Sequence, residues 1–459
     1  MTYRTDRRAA LKLLTAAPLG LALSAALVHD ARAQTPRGAF SIESGAGSRK
    51  AGPSSFGNEL RSVAAQPAAD ANVVNDWNAT MVAVIADAGK ANAEGFQWFG
   101  IVAAAVYNAV NGVTGRYELY KSKGRAAPTA SPQAAAVAAA HSTLMAYFGD
   151  VPAAATRLAE AYAASIAALP NDPSTAQGLR YGKHTAERII AMRAEDGRYG
   201  PNTFEMAPAI GVWRPTPPAN APFLGKYLCE CTPLMMESPS QFRPGPPPAL
   251  ASVEYATDFE EVKSYGAKEG SARSALQTET GLFISSIAQG PLQAGLRDLT
   301  VRRGMDISDR ARLFAAVNMS VADAIISCWE AKVHYGFWRP ITAIHQAEDD
   351  GNSATTADPT WDTLIPTPPY PDYTSGGNSI AGAASRALSR VLGTDRIDLT
   401  LSSPATNTTR TYDLADTLAT DMVNGRMWVG LHFRFADVAA RLQGEQVADW
   451  AMDGYFKPM

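Results

Sequence analysis

Three short segments in the second half of this 459-residue chain hold the residue types that could do chemistry. The first is Trp329-Glu330-Ala331-Lys332-Val333-His334-Tyr335-Gly336-Phe337-Trp338-Arg339-Pro340. Lys332 and Arg339 lie almost two helical turns apart, so both point the same way if the helix persists, and Pro340 should end or bend it. Two cations on an aromatic, apolar stretch are costly to bury without an anion. The alternative is a pair of surface cations whose stems lie along Tyr335 and Trp338. The second segment is Pro371-Asp372-Tyr373-Thr374-Ser375-Gly376-Gly377-Asn378-Ser379, ahead of a small-residue helix from Ile380 to Leu392. A Ser-Gly-Gly turn opening onto a helix presents free N–H groups and the positive end of the helix dipole, which suits an anion. It also reads as an ordinary helix start capped by Asn378 or Ser379. The third is Asn424-Gly425-Arg426-Met427-Trp428-Val429-Gly430-Leu431-His432-Phe433-Arg434-Phe435-Ala436-Asp437. On one unbroken helix Arg426 and His432 would face apart. Gly430 lets the helix end, so His432 can turn back toward Arg426; otherwise it is a hydrogen-bonded core histidine.

Composition says why such a cluster has to be local. The chain is 46% hydrophobic and 19% charged, as a folded globular protein is. Its net charge of −3 supplies no overall basic field to recruit nucleic acid or an acidic membrane. The three cysteines make no disulfide framework: Cys229 and Cys231 are too close for an easy bridge, and Cys328 reads as a core residue.

Helical periodicity must supply the scaffold. Ala-rich amphipathic stretches run from Trp77 to Ala86, Gly95 to Val113, Pro132 to Phe148, Ala153 to Ala168 and Thr175 to Glu195. Between Tyr199 and Ala251 prolines and glycines crowd the chain, which reads as extended coil wrapping a surface. Helices are expected again over roughly 253–265, 270–286, 307–332, 378–393, 412–427 and 434–453. No β-alternating run of useful length stands out, and no internal repeat. The Pro-rich stretch either divides two domains or connects parts of one helical bundle; the single bundle is favoured.

The N-terminus reads as an address. Arg7-Arg8, an apolar run from Leu13 to Val28 broken by Pro18, and Ala31-Arg32-Ala33 predict a twin-arginine export signal over 1–33, hence a periplasmic or secreted bacterial protein. An uncleaved anchor is the alternative. Residues 34–72 read as a Gly/Ser/Ala/Pro linker, and 73–459 as the helical domain, with its active-site half at about 253–459. No later segment looks like the roughly 18 apolar residues of a membrane span. The Ala-rich helix faces permit homo-oligomers.

Taken together, Lys332-x6-Arg339-Pro340, the Ser375-Gly376 helix start and Arg426-x3-Gly430-x-His432 resemble the vanadium-dependent haloperoxidase and type 2 phosphatidic acid phosphatase superfamily. Ser240-Gln241-Phe242-Arg243-Pro244, Trp338-Arg339-Pro340-Ile341-Thr342 and Asp350-Gly351-Asn352 resemble its secreted bacterial haloperoxidase branch. The resemblance implies an all-α helical bundle with a buried oxyanion pocket for vanadate. His432 would be the metal ligand. Lys332, Arg339, Ser375, Gly376 and Arg426 would compensate the vanadate oxygens, with Lys332 and His432 as the catalytic pair. Hydrogen peroxide, a halide and an organic acceptor would be the reactants. Trp329 and Tyr370 resemble the aromatic residues near the family's halide site. In the family, Ser-Gly is followed by an acid–base histidine; here Gly377 stands in its place, with His334 and His345 the nearest histidines in sequence. Its loss should cost a factor of about 10² to 10⁴ if nothing substitutes. Three functions follow: an attenuated haloperoxidase, a phosphohydrolase with His432 as nucleophile, and a non-catalytic oxyanion-binding protein.

Overall fold

A computed structural model describes residues 72–90 and 93–459. The expected export signal and nearly all of the expected linker lie outside the described residues. Five helices make up the first half: α1 (Asn72–Asp87), α2 (Gly95–Thr114), α3 (Pro132–Phe148), α4 (Pro152–Ala168) and α5 (Pro173–Met192). Three of them start with proline at the first helical position, where its missing N–H costs nothing. The second half contains α6 (Val253–Gly266), α7 (Ala275–Ser285), α8 (Gln289–Arg302), α9 (Ile307–Tyr335), α10 (Pro340–His345) and α11 (Gly376–Leu392). An antiparallel hairpin, β1 (Arg396–Ser403) and β2 (Thr408–Leu414), then leads to α12 (Ala415–Trp428) and α13 (Arg434–Gly454).

The long helix α9 is the axis. Nearly every residue from Ala311 to Lys332 is buried, because α2 of the first half and α11 and α13 of the second all pack against it. It is long and apolar enough to cross a membrane, contrary to the sequence expectation, but 94% of its most apolar window is buried inside the protein. A core helix surrounded by other helices must be apolar all round.

Other sequence expectations also need correction. The hairpin was missed although Ile397, Leu399 and Leu401 alternate inward at every second residue, as a half-buried strand demands. Helices α8 and α10 were missed too. Lys332 and Arg339 do not share a helix: α9 ends at Tyr335, where Gly336 takes a left-handed φ of 55°, and Arg339 is the N-cap of α10.

The Pro-rich stretch is coil with one short 3-10 turn, as expected, and it wraps the end of α9. Buried Asp323 accepts the amides of Leu234, Met235 and Met236 at 2.6–2.9 Å. Trp213 and Trp338 donate their amides to Gly336 and Gly211 respectively, lacing the connection to the α9–α10 turn. The Tyr335 and Tyr373 hydroxyls donate to the Pro244 and Gly245 carbonyls.

Candidate anion site

Where α9 ends, α10 and α11 begin and α12 turns toward α13, the chain buries charge that a core normally rejects. Lys332, Arg339, Asp372, Ser375, Asn378, His432 and Asp437 are all fully buried. Most come from element ends, and Asp372 from the loop before α11. Lys332 is on the last turn of α9, Arg339 caps α10, Ser375 caps α11, and Asp437 lies in the first turn of α13. His432 occupies the link after α12, which ends at Trp428. Gly430, at φ 82°, makes that turn, as its position in the sequence suggested. The turn packs against Gly266 so closely that a Cβ there would lie 2.6 Å from the Gly430 Cα.

His432 donates Nδ1–H to Asp372 Oδ1 at 2.7 Å. That bond fixes the tautomer and leaves a lone pair on Nε2, which faces Arg339 Nη1 at 3.2 Å. Burial, together with Arg339, Lys332 and Arg426, holds the imidazole well below its ordinary pKa, so it is neutral. Burial also lowers Lys332 to about 7 and raises Asp372 to about 7. Lys332 Nζ donates to the Pro371 and Asp372 carbonyls at 2.6 and 3.0 Å. Arg339 donates to Tyr370 O and Leu431 O at 2.7 and 2.8 Å. Both cations therefore hold the loop before α11 as well as facing the site.

The Ser-Gly turn is a helix start, with Ser375 as N-cap instead of Asn378 or Ser379. Ser375 makes no capping bond, so the first-turn amides of Gly376 and Gly377 have no helical acceptor and no side chain over them. Arg426 completes the group from α12. Its Nε is buried without a hydrogen-bond partner, and coulombic repulsion from it acts on Lys332, Arg339 and His432. A Cβ on Gly377 would stand 3.3 Å from that Nε and 3.5 Å from Met422 Sδ. The space beside Gly377 thus holds a guanidinium and a thioether, neither of which exchanges protons at neutral pH.

The other residues named from the sequence divide cleanly. Trp329 and Tyr370 pack together with ring centroids 5.0 Å apart, and Tyr370 lies 4.9 Å beneath both the Lys332 ammonium and the Arg339 guanidinium. With Gly376, Gly377, Arg426 and Met422 they line a mostly apolar pocket that opens to solvent. His334 lies instead against Tyr335 and Arg243, and His345 bonds the Trp361 carbonyl, so neither reaches the site. The three cysteines are unpaired. Sequence reasoning missed Asp372 and Asp437, although both lay within the segments it singled out.

Three cations, a neutral imidazole, an orphaned guanidinium Nε and uncapped helix amides fit a tetrahedral oxyanion. Among the described residues no group of three or more His, Cys, Asp and Glu is placed to hold a metal cation. For a metal oxyanion to bond His432, the Arg339–Nε2 contact must open and the guanidinium turn to the oxygens.

Known proteins carry the same arrangement of helices. The structure resembles that of a bacterial vanadium-dependent iodoperoxidase with a TM-score of 0.70 and 21% identity, over 85% of this chain and 97% of that one. It resembles an apo-type bacterial vanadium-dependent chloroperoxidase at 0.62 and 17%, over 79% and 93%. Vanadium chloroperoxidase of Curvularia inaequalis is 29% identical over 181 residues; the match covers 29% of this chain and only 29% of that protein's length. Residues 312–458, which span every site residue named above, match the model of the VCPO second helical-bundle domain. Over those residues the chain resembles that domain, and it shares a mostly helical fold with the solved bacterial structures.

Proposed function

We propose that the chain is a vanadate-dependent haloperoxidase that oxidises halide with hydrogen peroxide, exported by the twin-arginine route. The observation that carries this reading is the fully buried, neutral His432, held by Asp372 beneath Lys332, Arg339 and Arg426. Nε2 of His432 would ligate vanadium. Lys332, Arg339, Arg426, Ser375 and the Gly376 amide would hold the oxygens. Bound vanadate supplies a Lewis-acid centre at which peroxide becomes open to attack by halide, with no change of oxidation state at the metal. The chain's own part is electrostatic: the cations of Lys332, Arg339 and Arg426 would offset the negative charge of a bound oxyanion. Trp329 and Tyr370 form the apolar wall along which a halide can approach.

The test is peroxide-dependent bromination of an organic acceptor by protein titrated with orthovanadate, beside His432→Ala. Bromination that requires vanadate and His432 is expected. Tight vanadate binding with no halogenation at any pH would sink the proposal. The neutral Nε2 also suits a phosphohydrolase nucleophile. Hydrolysis of an activated phosphate ester, blocked by vanadate and lost in His432→Ala, would select that second reading.

A further inference from the structure

The structure leaves no titratable group beside Gly377, yet peroxide must lose a proton as it binds. A second pair of groups stands on the other side of the same turn. Ser375, freed from capping α11, accepts a hydrogen bond from Asn378 Nδ2 at 3.2 Å, and the same Nδ2 donates to Asp437 Oδ1 at 2.7 Å. Ser375 also lies close enough to the Asp437 carboxyl to pull its pKa down. Asn378 thus clamps serine and aspartate together. Asp437 Oδ2 and Asn378 Oδ1 are both buried without hydrogen-bond partners, which an inert structural network would avoid.

We propose that Ser375 and Asp437 form a proton relay that takes over the acid–base work missing at Gly377. This rests on the oxyanion reading of the site. Ser375 is the group that touches the reactant, and Asp437 is a positioning residue that acts through it. The O–H bond of bound hydrogen peroxide breaks as its proton passes to Ser375 Oγ. The serine's own proton passes to the Asp437 carboxylate, which becomes a carboxylic acid. Proton release to solvent later restores the start.

The charge around Asp437 suits this work. Burial raises its pKa well above the ordinary carboxylate value, and Asp372 raises it further. Ser375, Arg426 from α12 and Arg434 on its own helix pull it down. Asp437 in turn acts on Arg339 at the start of α10. From α6, Glu261 engages Arg434, and Asp258 accepts the Phe435 amide. Burial thus raises the affinity of the Asp437 carboxylate for a proton.

The experiment compares wild type, Asp437→Asn, Asp437→Glu, Ser375→Ala and the Asp437→Asn/Ser375→Ala double variant. Vanadate affinity, the pH–rate profile for bromination and the infrared C=O band of buried carboxylic acids are followed in each. Asp437→Asn should bind vanadate within about threefold of wild type. Its kcat should fall by about 10² to 10⁴, and the rise of rate with pH should disappear. Asp437→Glu should keep that rise at a displaced pH. Ser375→Ala should show the same fall in kcat and the same lost pH dependence as Asp437→Asn, and the kcat of the double variant should be no worse than that of either, as members of one relay are not additive. An unchanged pH profile in Asp437→Asn would overturn the relay, and so would loss of vanadate binding, which would mark Asp437 as structural. If wild type binds vanadate but never halogenates, the functional reading fails and the infrared titration decides the relay alone. A carboxyl band that vanishes in Asp437→Asn and shifts in Ser375→Ala supports it; a band indifferent to Ser375 overturns it.

Discussion

Among the described residues, two buried groups of arginine and aspartate, one in each half, differ in what completes them. In the first half Arg193, Asp196 and Arg198 lie just after α5, each nearly inaccessible to solvent. Asp196 pairs with both arginines at 2.8 Å. The Arg198 guanidinium sits 4.4 Å from the Trp98 ring and 4.8 Å from that of Tyr147, and Arg193 and Arg198 donate to backbone carbonyls. The chain offsets the charge of that group with ion pairs, rings and carbonyls of its own, although Arg193 Nε and Nη2, Asp196 Oδ2 and Arg198 Nη1 make no hydrogen bond. In the second half three cations crowd one neutral histidine, two carboxyls are driven upward in pKa, and an open pocket adjoins them. Buried charge closed by the protein is structural; buried charge left in excess next to open space is waiting for a ligand.

The contrast can be broken at either end. Replacing Arg198 by Met should destabilise the protein by about 3–5 kcal/mol, since it strips a partner from a closed buried pair. Vanadate affinity measured on the folded variant should not change; a binding defect would mean that the first group supports the site. Asp372→Asn should weaken vanadate binding about 10- to 100-fold by unlocking the His432 tautomer, with a smaller effect on unfolding. Equal affinity in that variant would show the Asp372–His432 bond to be incidental. Arg426→Met should cost roughly tenfold in binding, the worth of one charge-assisted hydrogen bond. Denaturant unfolding should meanwhile show stability within about 0.5 kcal/mol of wild type, or higher, because a repelling cation has gone. A marked loss of stability would place Arg426 with the closed kind.

The gentlest probe is pH. Lys332 titrates at about 7 in the folded protein against 10.5 when unfolded. Between those values the unfolded chain holds more protons, so the part of the stability that depends on Lys332 rises with pH across that window. An anion restores the ammonium. The affinity for sulfate, which carries no titratable proton in this range, should therefore fall by about tenfold per pH unit above 7. Calorimetric titration of wild type and Lys332→Met checks this: a flat wild-type profile would mean that Lys332 does not face the anion.

Much of this was legible in the sequence because chemistry and local geometry coincided. Gly430 ended α12, Pro340 restarted the chain, and Ser375-Gly376 opened α11, each at a residue whose backbone preference demands it. The cations were visible as charges where an apolar pattern did not call for any. Asp372 and Asp437 were not, because each has a bland local explanation. An acid between Pro371 and Tyr373 reads as a loop residue, and an acid in the first turn of α13 reads as a helix-dipole partner. What makes them functional is contact across the fold, with His432 sixty positions after Asp372 and Asn378 fifty-nine before Asp437. The β1–β2 hairpin hid for a different reason. Ile397, Leu399 and Leu401 alternate over only five residues between two strong helices, and β2 buries little beyond Tyr412.

The meeting of Gly266 with Gly430 has a bearing on heredity. Neither residue is charged or reaches the cavity, yet a Cβ on Gly430 would stand 2.7 Å from the Gly266 carbonyl oxygen, and one on Gly266 2.6 Å from the Gly430 Cα. A single methyl at either place would push the link that carries His432. In a screen of random variants both glycines would be scored as active-site positions. What such a screen would have found is the absence of an atom, which the link to the histidine needs in order to close.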